Sequence, residues 1–578
     1  MLNEFTISRG KAMINFSLKY CDNRQKLLNS YGFKKVIDSF IQVLKKDNVI
    51  IYDYYIKFFN NKDDEFAQSL VQVFKFLTVC DENEIVKVDN RYSVCFADKD
   101  LFIELIELLY SYWRRLDRIS IVRNSSLGEG LQDVRFTQAN SQFNDLILAT
   151  YRRIEETVMG FQHRVYRQLI AGANAGLILN DEVSWNCPIE YKGLSAVPFI
   201  STVIFQPPLI TYTKRNTRDG IFQEHSSNPI ANISLNDDEW FVFPAWVGNM
   251  LTFVYFHKDF IDHGLGLSNL FELATPSSYI GKKPDMIYVF GYADGYEEKR
   301  TFYYKDKQND ILIGYANYCD DIDYFGYMKK MLLTLHNVKQ MENGRLPIHG
   351  AMVNIALKNG KEANIIIMGD SGAGKSESLE AFRNLNEKYI RHMRIIFDDM
   401  GYLNIEADGS VKGYGTEIGA FVRVDDLDPS YAYQQLDRGI YTNPDKVNAR
   451  VTIPVSTYEV ISKGYKVDYM LYANNYTETD QKIKFFDNLD KAIEVFEDGA
   501  RKAKGTTTEV GLVKSYFANP FGPVQEREVA EKLVRQYFTK MNDNKVKIGE
   551  IHTSLAIDGQ TKEGPRLAAE ELFSLINE

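Results

Sequence analysis

Residues 369–376 read GDSGAGKS, which places glycine, lysine and serine at the spacing G-x-x-x-x-G-K-[ST]. Glycines let backbone N–H groups close around an anion, and the N-terminus of a following helix adds a favourable dipole. In this pattern Lys375 reaches the β- and γ-phosphates of a nucleotide, and the Ser376 hydroxyl binds Mg²⁺. The motif predicts a phosphate loop with these nucleotide-binding residues: Gly369, Asp370, Ser371, Gly372, Ala373, Gly374, Lys375, Ser376 and Glu377.

Such a loop needs a strand before it and a helix after it. Residues 365–368 (IIIM) are typical of a short buried strand, and residues 377–382 (ESLEAF) are typical of the start of a helix. About twenty residues further on, a second apolar run ends in Asp398 and Asp399. A hard divalent cation prefers carboxylate ligands, so one aspartate can hold the Mg²⁺ of the nucleotide and the other can serve a second ion.

The composition limits the classes of partner. The chain has 578 residues, enough for roughly three to five domains. Its 68 Lys and Arg against 78 Asp and Glu give a net charge of −10, which argues against nucleic acid or an acidic membrane as the main partner. Five cysteines without a C-x-x-C pair fit a reducing cytosol, and neither a signal peptide nor a run of ~18 apolar residues is evident. We expect a soluble cytoplasmic protein.

The pattern of apolar residues changes along the chain. Leu101, Leu105 and Leu108 recur at helical spacing between charged residues, as in other parts of the first third. Short β-rich runs follow, and later strand-like and helix-like segments alternate, which predicts a mixed α/β and α+β core. The expected domains are a mainly helical one of unknown role at 1–185, which offers a contact for a partner or a second copy, and two further ones at 186–340 and 341–578.

Two blocks before the loop carry a family resemblance. Residues 324–330 (YFGYMKK) and 345–350 (RLPIHG) resemble the Y-x-G-E-M-K-K and M-H-C-S-A-N blocks of ATP-dependent phosphoenolpyruvate carboxykinase. The nineteen-residue interval from Lys330 to His349 matches that family without a gap. Similar segments follow the family's order at 213–219, 398–399, 417–423, 448–454 and 504–521. The resemblance covers about residues 195–578 and implies a two-lobed carboxykinase-like core with a nucleotide-binding lobe.

This resemblance implies a reaction and its cofactors. The family converts oxaloacetate and ATP into phosphoenolpyruvate, CO₂ and ADP through an enolate. It implies that Lys330, His349 and Asp399 bind Mn²⁺, while Ser376 and Asp398 bind the Mg²⁺ of ATP. An amine binds a metal only when it is neutral, so Lys330 would need a lowered pKa. If these residues share one cation, their side chains must face one another.

The resemblance also assigns residues to the substrate. Arg215, Arg450 and Tyr324 would hold the dicarboxylate or the transferred phosphoryl group, because a guanidinium binds either group bidentately. Glu417 and Lys504 would lie near the nucleotide. The implied catalytic set is Arg215, Tyr324, Lys330, Lys375, Asp399 and Arg450.

Two alternatives remain at this point. His349-Gly350 together with GDSGAGKSE at 369–377 also resembles HPr kinase/phosphorylase, a phosphotransferase that lacks the 324–330 block. Departures from the carboxykinase pattern, such as Tyr327 in place of Glu and Met400 after the aspartates, leave room for a nucleotide-binding protein without carboxykinase activity.

Overall fold

The computed structural model describes most of the chain in two compact units, Met1–His163 and Arg164–Glu578. The described residues are 4–8, 11–15, 21–115, 117–121, 133–162, 164–167, 175–180, 183–205, 207–236, 239–370, 372–384, 390–424, 433–503, 511–557, 559 and 563–577. The protein is mixed α+β, with several sheets and many helices. Within these residues, no helix combines the length and apolarity needed to cross a bilayer.

The first unit is mainly helical. Its strands are β1 Phe5–Ser8, β2 Lys11–Asn15 and β3 Asp117–Ile121, which form one small sheet. Its helices are α1 Arg24–Leu28, α2 Tyr31–Asp47, α3 Val49–Ile56, α4 Asp63–Leu77, α5 Glu82–Val88, α6 Ser93–Ala97, α7 Lys99–Arg115 and α8 Asp133–Met159. The predicted apolar stripe lies on α7, where Leu105 is fully buried in the core of this unit. Ser30 begins α2 by accepting a hydrogen bond from the backbone N–H of Phe33 at 3.0 Å.

The expected boundary near residue 185 differs from the observed one. Strands β4 Val165–Arg167 and β5 Ala175–Asn180 both pair with β6 Phe199–Phe205, so residues after His163 belong to the second unit. Non-local strand pairing outweighs the helical composition of the preceding sequence.

A ten-stranded sheet contains most strands from the first part of the second unit. Its other strands are β8 Gln223–Glu224, β9 Trp240–Val247, β10 Met250–His257, β11 Glu272–Leu273, β12 Met286–Tyr292, β13 Thr301–Asp306 and β14 Ile311–Asn317. Its order is β4-β6-β9-β10-β12-β14-β13-β8, with β5 on β6 and β11 on β9. The helices of this part are α9 Ile261–Leu267, α10 Pro276–Tyr279 and α11 Phe325–Glu342.

An eight-stranded sheet contains most strands from the later part. Its strands are β15 Leu346–Leu357, β16 Glu362–Met368, β17 Ile390–Ile405, β18 Val411–Gly415, β22 Tyr465–Lys466, β23 Tyr469–Asn474, β24 Ile483–Phe485 and β27 Lys547–His552. Their order in the sheet is β22-β18-β17-β15-β16-β23-β27-β24. The helices are α12 Lys375–Asn384, α13 Tyr458–Ser462, α14 Leu489–Asp498, α15 Arg527–Asp543 and α16 Glu563–Asn577.

Two smaller sheets complete the second unit. Strand β7 Leu209–Thr211 forms a four-stranded sheet with β19 Gly419–Arg423, β20 Ile440–Thr442 and β21 Arg450–Pro454. Strands β25 Ala500–Lys502 and β26 Leu512–Lys514 form a hairpin. Strand β7 lies before the expected boundary at 340 and β20 lies after it. Because the two strands pair, segments from both sides of that boundary belong to one sheet within one compact unit.

Candidate active site

The phosphate-loop segment has the expected order of strand, loop and helix. Strand β16 leads into it and α12 begins at Lys375. Gly372 and Gly374 have φ of +81° and +103°, a region that glycine enters without steric cost. A Cβ on Gly374 would lie 2.7 Å from Thr553 Oγ1. Ser371, the Ser376 side chain and Lys504 lie outside what the structure describes.

Lys375 points back into its own loop. The amine is buried and donates a hydrogen bond to the Gly369 carbonyl at 2.6 Å. Burial lowers its pKa, while Asp399, Asp370 and Asp398 act in the opposite direction. Lys375 therefore lies in the electrostatic field of both predicted metal-binding aspartates.

Asp399 joins the two blocks that carry the family resemblance. Its Oδ2 accepts hydrogen bonds from Lys329 Nζ at 2.8 Å and Lys330 Nζ at 3.0 Å, and its Oδ1 lies 3.1 Å from His349 Nε2. Strand pairing causes this, because β15 and β17 place Gly350 opposite Asp399. The structure thus brings Lys330, His349 and Asp399 into contact.

The hydrogen bonds of His349 define its tautomer. Its Nδ1 lies 2.6 Å from the Ala518 carbonyl oxygen, and a carbonyl can only accept, so Nδ1 carries the proton. Burial, followed by Lys375, lowers the pKa of His349, which favours the neutral ring. Nε2 then presents a lone pair to Asp399 Oδ1. Two acceptors at this distance need a shared cation or proton between them.

Unusual backbone surrounds this histidine. Asp399, Phe517 and Ala518 are non-glycine residues with φ of 125°, 52° and 46°. The left-handed conformation at Ala518 accompanies the contact of its carbonyl with the ring. Backbone strain of this kind concentrates at functional sites, where the surrounding structure holds it in place.

The two adjacent lysines have different electrostatics. Lys329 also pairs with Glu417 Oε1 at 3.0 Å, and although burial lowers its pKa, Asp399 and Glu417 raise it more. Burial lowers the pKa of Lys330 to about 8, partly opposed by Asp399. Lys329 therefore stays charged, whereas Lys330 is readily neutralised and is suited to bind a metal. Burial raises the pKa of Glu417 to about 7.

Of the other predicted residues, Asp398 and Glu417 lie near the site, whereas Arg215 lies at the surface. Asp398 is buried beside Lys375. Glu417 contacts Lys329, and among the described residues no hydrogen bond joins it to the phosphate loop. Arg215 is more than half exposed and pairs with Asp321, so the structure places it in a surface ion pair.

Arg218, in the same block as Arg215, shares an aromatic neighbour with Lys330. Its guanidinium faces the rings of Phe222 at 5.1 Å and Phe521 at 5.7 Å, and Lys330 Nζ lies 4.5 Å from the same Phe521 ring. Burial lowers the pKa of Arg218, and Tyr324 is among its electrostatic neighbours. A second arginine in the 213–219 block was the only sequence signal for this residue.

Arg450 and Tyr324 form the adjoining wall. Tyr324 is buried at the start of α11, where burial raises the pKa of its hydroxyl and the nearby charge of Arg450 acts in the opposite direction. The Arg450 guanidinium lies 5.6 Å from the Phe421 ring centre, and its buried Nε has no hydrogen-bond partner among the described residues. An unsatisfied buried guanidinium donor is suited to an anion.

The arrangement combines a buried imidazole and a partly buried amine and carboxylate with a phosphate loop and two partly buried arginines. The described residues contain no cluster of three or more His, Cys, Asp and Glu side chains suited to a metal. The sequence matches no protein-family model and no curated protein.

Proposed function

We propose that the protein is an ATP-dependent phosphoenolpyruvate carboxykinase-like enzyme that converts oxaloacetate and ATP into phosphoenolpyruvate, CO₂ and ADP. The observation that carries the proposal is the contact of His349 Nε2 with Asp399 Oδ1 beside an amine of lowered pKa. The proposal includes a two-lobed carboxykinase fold for the second unit, a cytoplasmic location and a small dicarboxylate as the substrate.

The donor set fits Mn²⁺. Lys330, His349 and Asp399 would hold it, and the cation would supply the positive charge that stabilises an enolate oxygen after CO₂ leaves. The Ala518 carbonyl fixes the His349 ring so that Nε2 can donate its lone pair. Lys329 keeps its charge through Glu417 and holds the Asp399 carboxylate in place.

The remaining residues bind and orient the substrates. Arg218 and Arg450, with Tyr324, would bind the carboxylates of oxaloacetate or the transferred phosphoryl group. Lys375 would exchange the Gly369 carbonyl for the phosphates of ATP, with Mg²⁺ at Ser376 and Asp398. The aromatic rings of Phe421 and Phe521 limit water around the arginines and Lys330.

An HPr kinase-like phosphotransferase is the second candidate. The loop sequence at 369–377 and the dipeptide His349-Gly350 favour it. Such a kinase needs a carboxylate to accept the proton of the acceptor hydroxyl. Both oxygens of Asp399 already contact cationic or imidazole groups, which leaves Asp398 for that role. The contacts of Asp399 are compatible with both candidates, and the block at 324–330, which HPr kinase/phosphorylase lacks, supports the carboxykinase proposal.

The test is a turnover assay with purified protein, oxaloacetate, ATP and Mn²⁺, and with phosphoenolpyruvate, bicarbonate and ADP in reverse. We expect activity in both directions, at least a hundredfold loss in Lys330→Met, and little change in Lys339→Met, a matched control whose lysine lies on the same helix and pairs with Glu342. Absence of activity in both directions while ATP still binds would favour a phosphotransferase or a nucleotide-binding role.

A further inference from the structure

The helices of the first unit line a partly open apolar cavity with a volume of about 130 Å³. Helices α1, α2, α4, α7 and α8 and strand β1 all contribute to its wall. Much of the lining is aromatic and comes from Phe5, Phe33, Phe74, Trp113 and Phe143. Protein cores are normally close-packed, so unfilled apolar space of this size within the helical unit needs a reason.

Three of the polar side chains in the wall form hydrogen bonds with the protein. Ser30 Oγ donates to the Leu27 carbonyl at 2.7 Å, Thr150 Oγ1 donates to the Leu146 carbonyl at 2.7 Å, and the Tyr151 hydroxyl donates to Glu107. The one charged residue recorded in the described lining, Glu4, is half-exposed. A mainly apolar cavity of this kind favours apolar molecules over water.

We propose that this cavity is a binding site for a small uncharged aromatic or hydrocarbon group. An engineered apolar cavity of about 150 Å³ binds benzene, which sets the scale of the ligand. Aromatic walls offer edge and face contacts to a ring, and the ligand restores the dispersion contacts that the wall atoms lack. Every residue of the cavity wall belongs to the first unit, so ligand binding there is independent of the proposed carboxykinase activity.

Trp113 provides a direct readout. It is one of four tryptophans, and the other three, Trp185, Trp240 and Trp246, all lie in the second unit. Bromobenzene quenches tryptophan emission on contact through its heavy atom. For the full chain we expect saturable quenching by bromobenzene that benzene relieves by competition and that Trp113→Phe abolishes.

Two valines on α2 make a matched pair. Val36 lines the cavity and is buried, whereas Val43 is 37% exposed. Val36→Phe fills the cavity and should weaken bromobenzene binding at least tenfold, while Val43→Phe should leave it unchanged. Quenching that does not saturate in the wild-type chain, or that persists in Trp113→Phe, would overturn the proposal whether or not Val36→Phe folds. Unchanged binding in a folded Val36→Phe would overturn it as well.

Discussion

At the scale of residues, one carboxylate organises the site. Asp399 contacts Lys329, Lys330 and His349, and each of these side chains is buried or nearly so. Burial alone raises the pKa of Asp399, but the two lysines hold it well below the usual range. The Asp399 carboxylate therefore stays charged and keeps two buried amines in the protein interior.

Replacing Asp399 by Asn should lower the free energy of unfolding by about 3–5 kcal/mol, because it leaves two buried amines without their shared counter-ion. Denaturant titration of both proteins measures this change. The matched control is Asp321→Asn, which removes an exposed ion pair with Arg215 and should cost less than about 1 kcal/mol. If both variants lost the same small amount of unfolding free energy, Asp399 would not stabilise the buried lysines.

His336 gives the folded state a pH dependence of its own. It is fully buried on α11, and burial lowers its pKa from 6.5 to about 4. Between pH 6.5 and pH 4 the unfolded chain binds a proton at His336 that the folded chain excludes. This contribution to the free energy of unfolding is therefore complete above pH 6.5. It falls by about 3 kcal/mol as the pH drops towards 4. His336→Gln should flatten this part of the curve of unfolding free energy against pH. An unchanged slope would show that the folded protein accepts the proton.

At the scale of elements, α11 delivers the lysine pair. Nearly all of its residues from Phe325 to Met341 are buried, so the helix lies inside the unit and carries Lys329 and Lys330 towards β17. Asn443, which follows β20, holds the segment that contains Arg218. Its fully buried side chain bonds to Thr213 N at 3.0 Å and Thr213 O at 3.1 Å.

Asn443→Gly tests this positioning role. Asn443 has a φ of 48°, which glycine adopts without strain, so the substitution removes the hydrogen bonds and keeps the backbone. We expect KM for oxaloacetate to rise about tenfold, since one buried donor loses its partner at a cost of about 1–3 kcal/mol. KM for ATP should stay constant. A matching rise in both constants would indicate a general loss of structure.

The phosphate loop depends on a close approach at Gly374. Gly374→Ala would place a Cβ 2.7 Å from Thr553 Oγ1 and would also force alanine to a φ of 103°. ATP affinity, measured by calorimetry, should fall at least tenfold. Gly360 has a φ of 88° and an open surrounding, so Gly360→Ala carries the backbone penalty without the clash and should bind ATP normally. Similar ATP affinities in both variants would show that the loop does not depend on the close approach of Gly374 to Thr553.

At the scale of the whole molecule, features that depend on neighbouring residues could be predicted from the sequence, whereas features that depend on contacts between distant segments could not. The order of strand, loop and helix around Lys375 follows from glycines and an apolar run, and α7 follows from the spacing of its leucines. Arg218, Lys329 and Asn443 could not be assigned from sequence, because their surroundings come from segments more than fifty residues away, such as Phe521, Glu417 and Thr213. The boundary at 163 depended on sheet pairing by β4 and β5, which helical periodicity does not report.

Mn²⁺ binding to the full chain without nucleotide, followed by electron paramagnetic resonance, tests the central proposal most directly. We expect one bound Mn²⁺ per chain in the wild-type protein and in Lys339→Met, and loss of that ion in Lys330→Met and His349→Gln. Failure of the wild-type chain to bind Mn²⁺, or undiminished binding in folded Lys330→Met and His349→Gln, would contradict it.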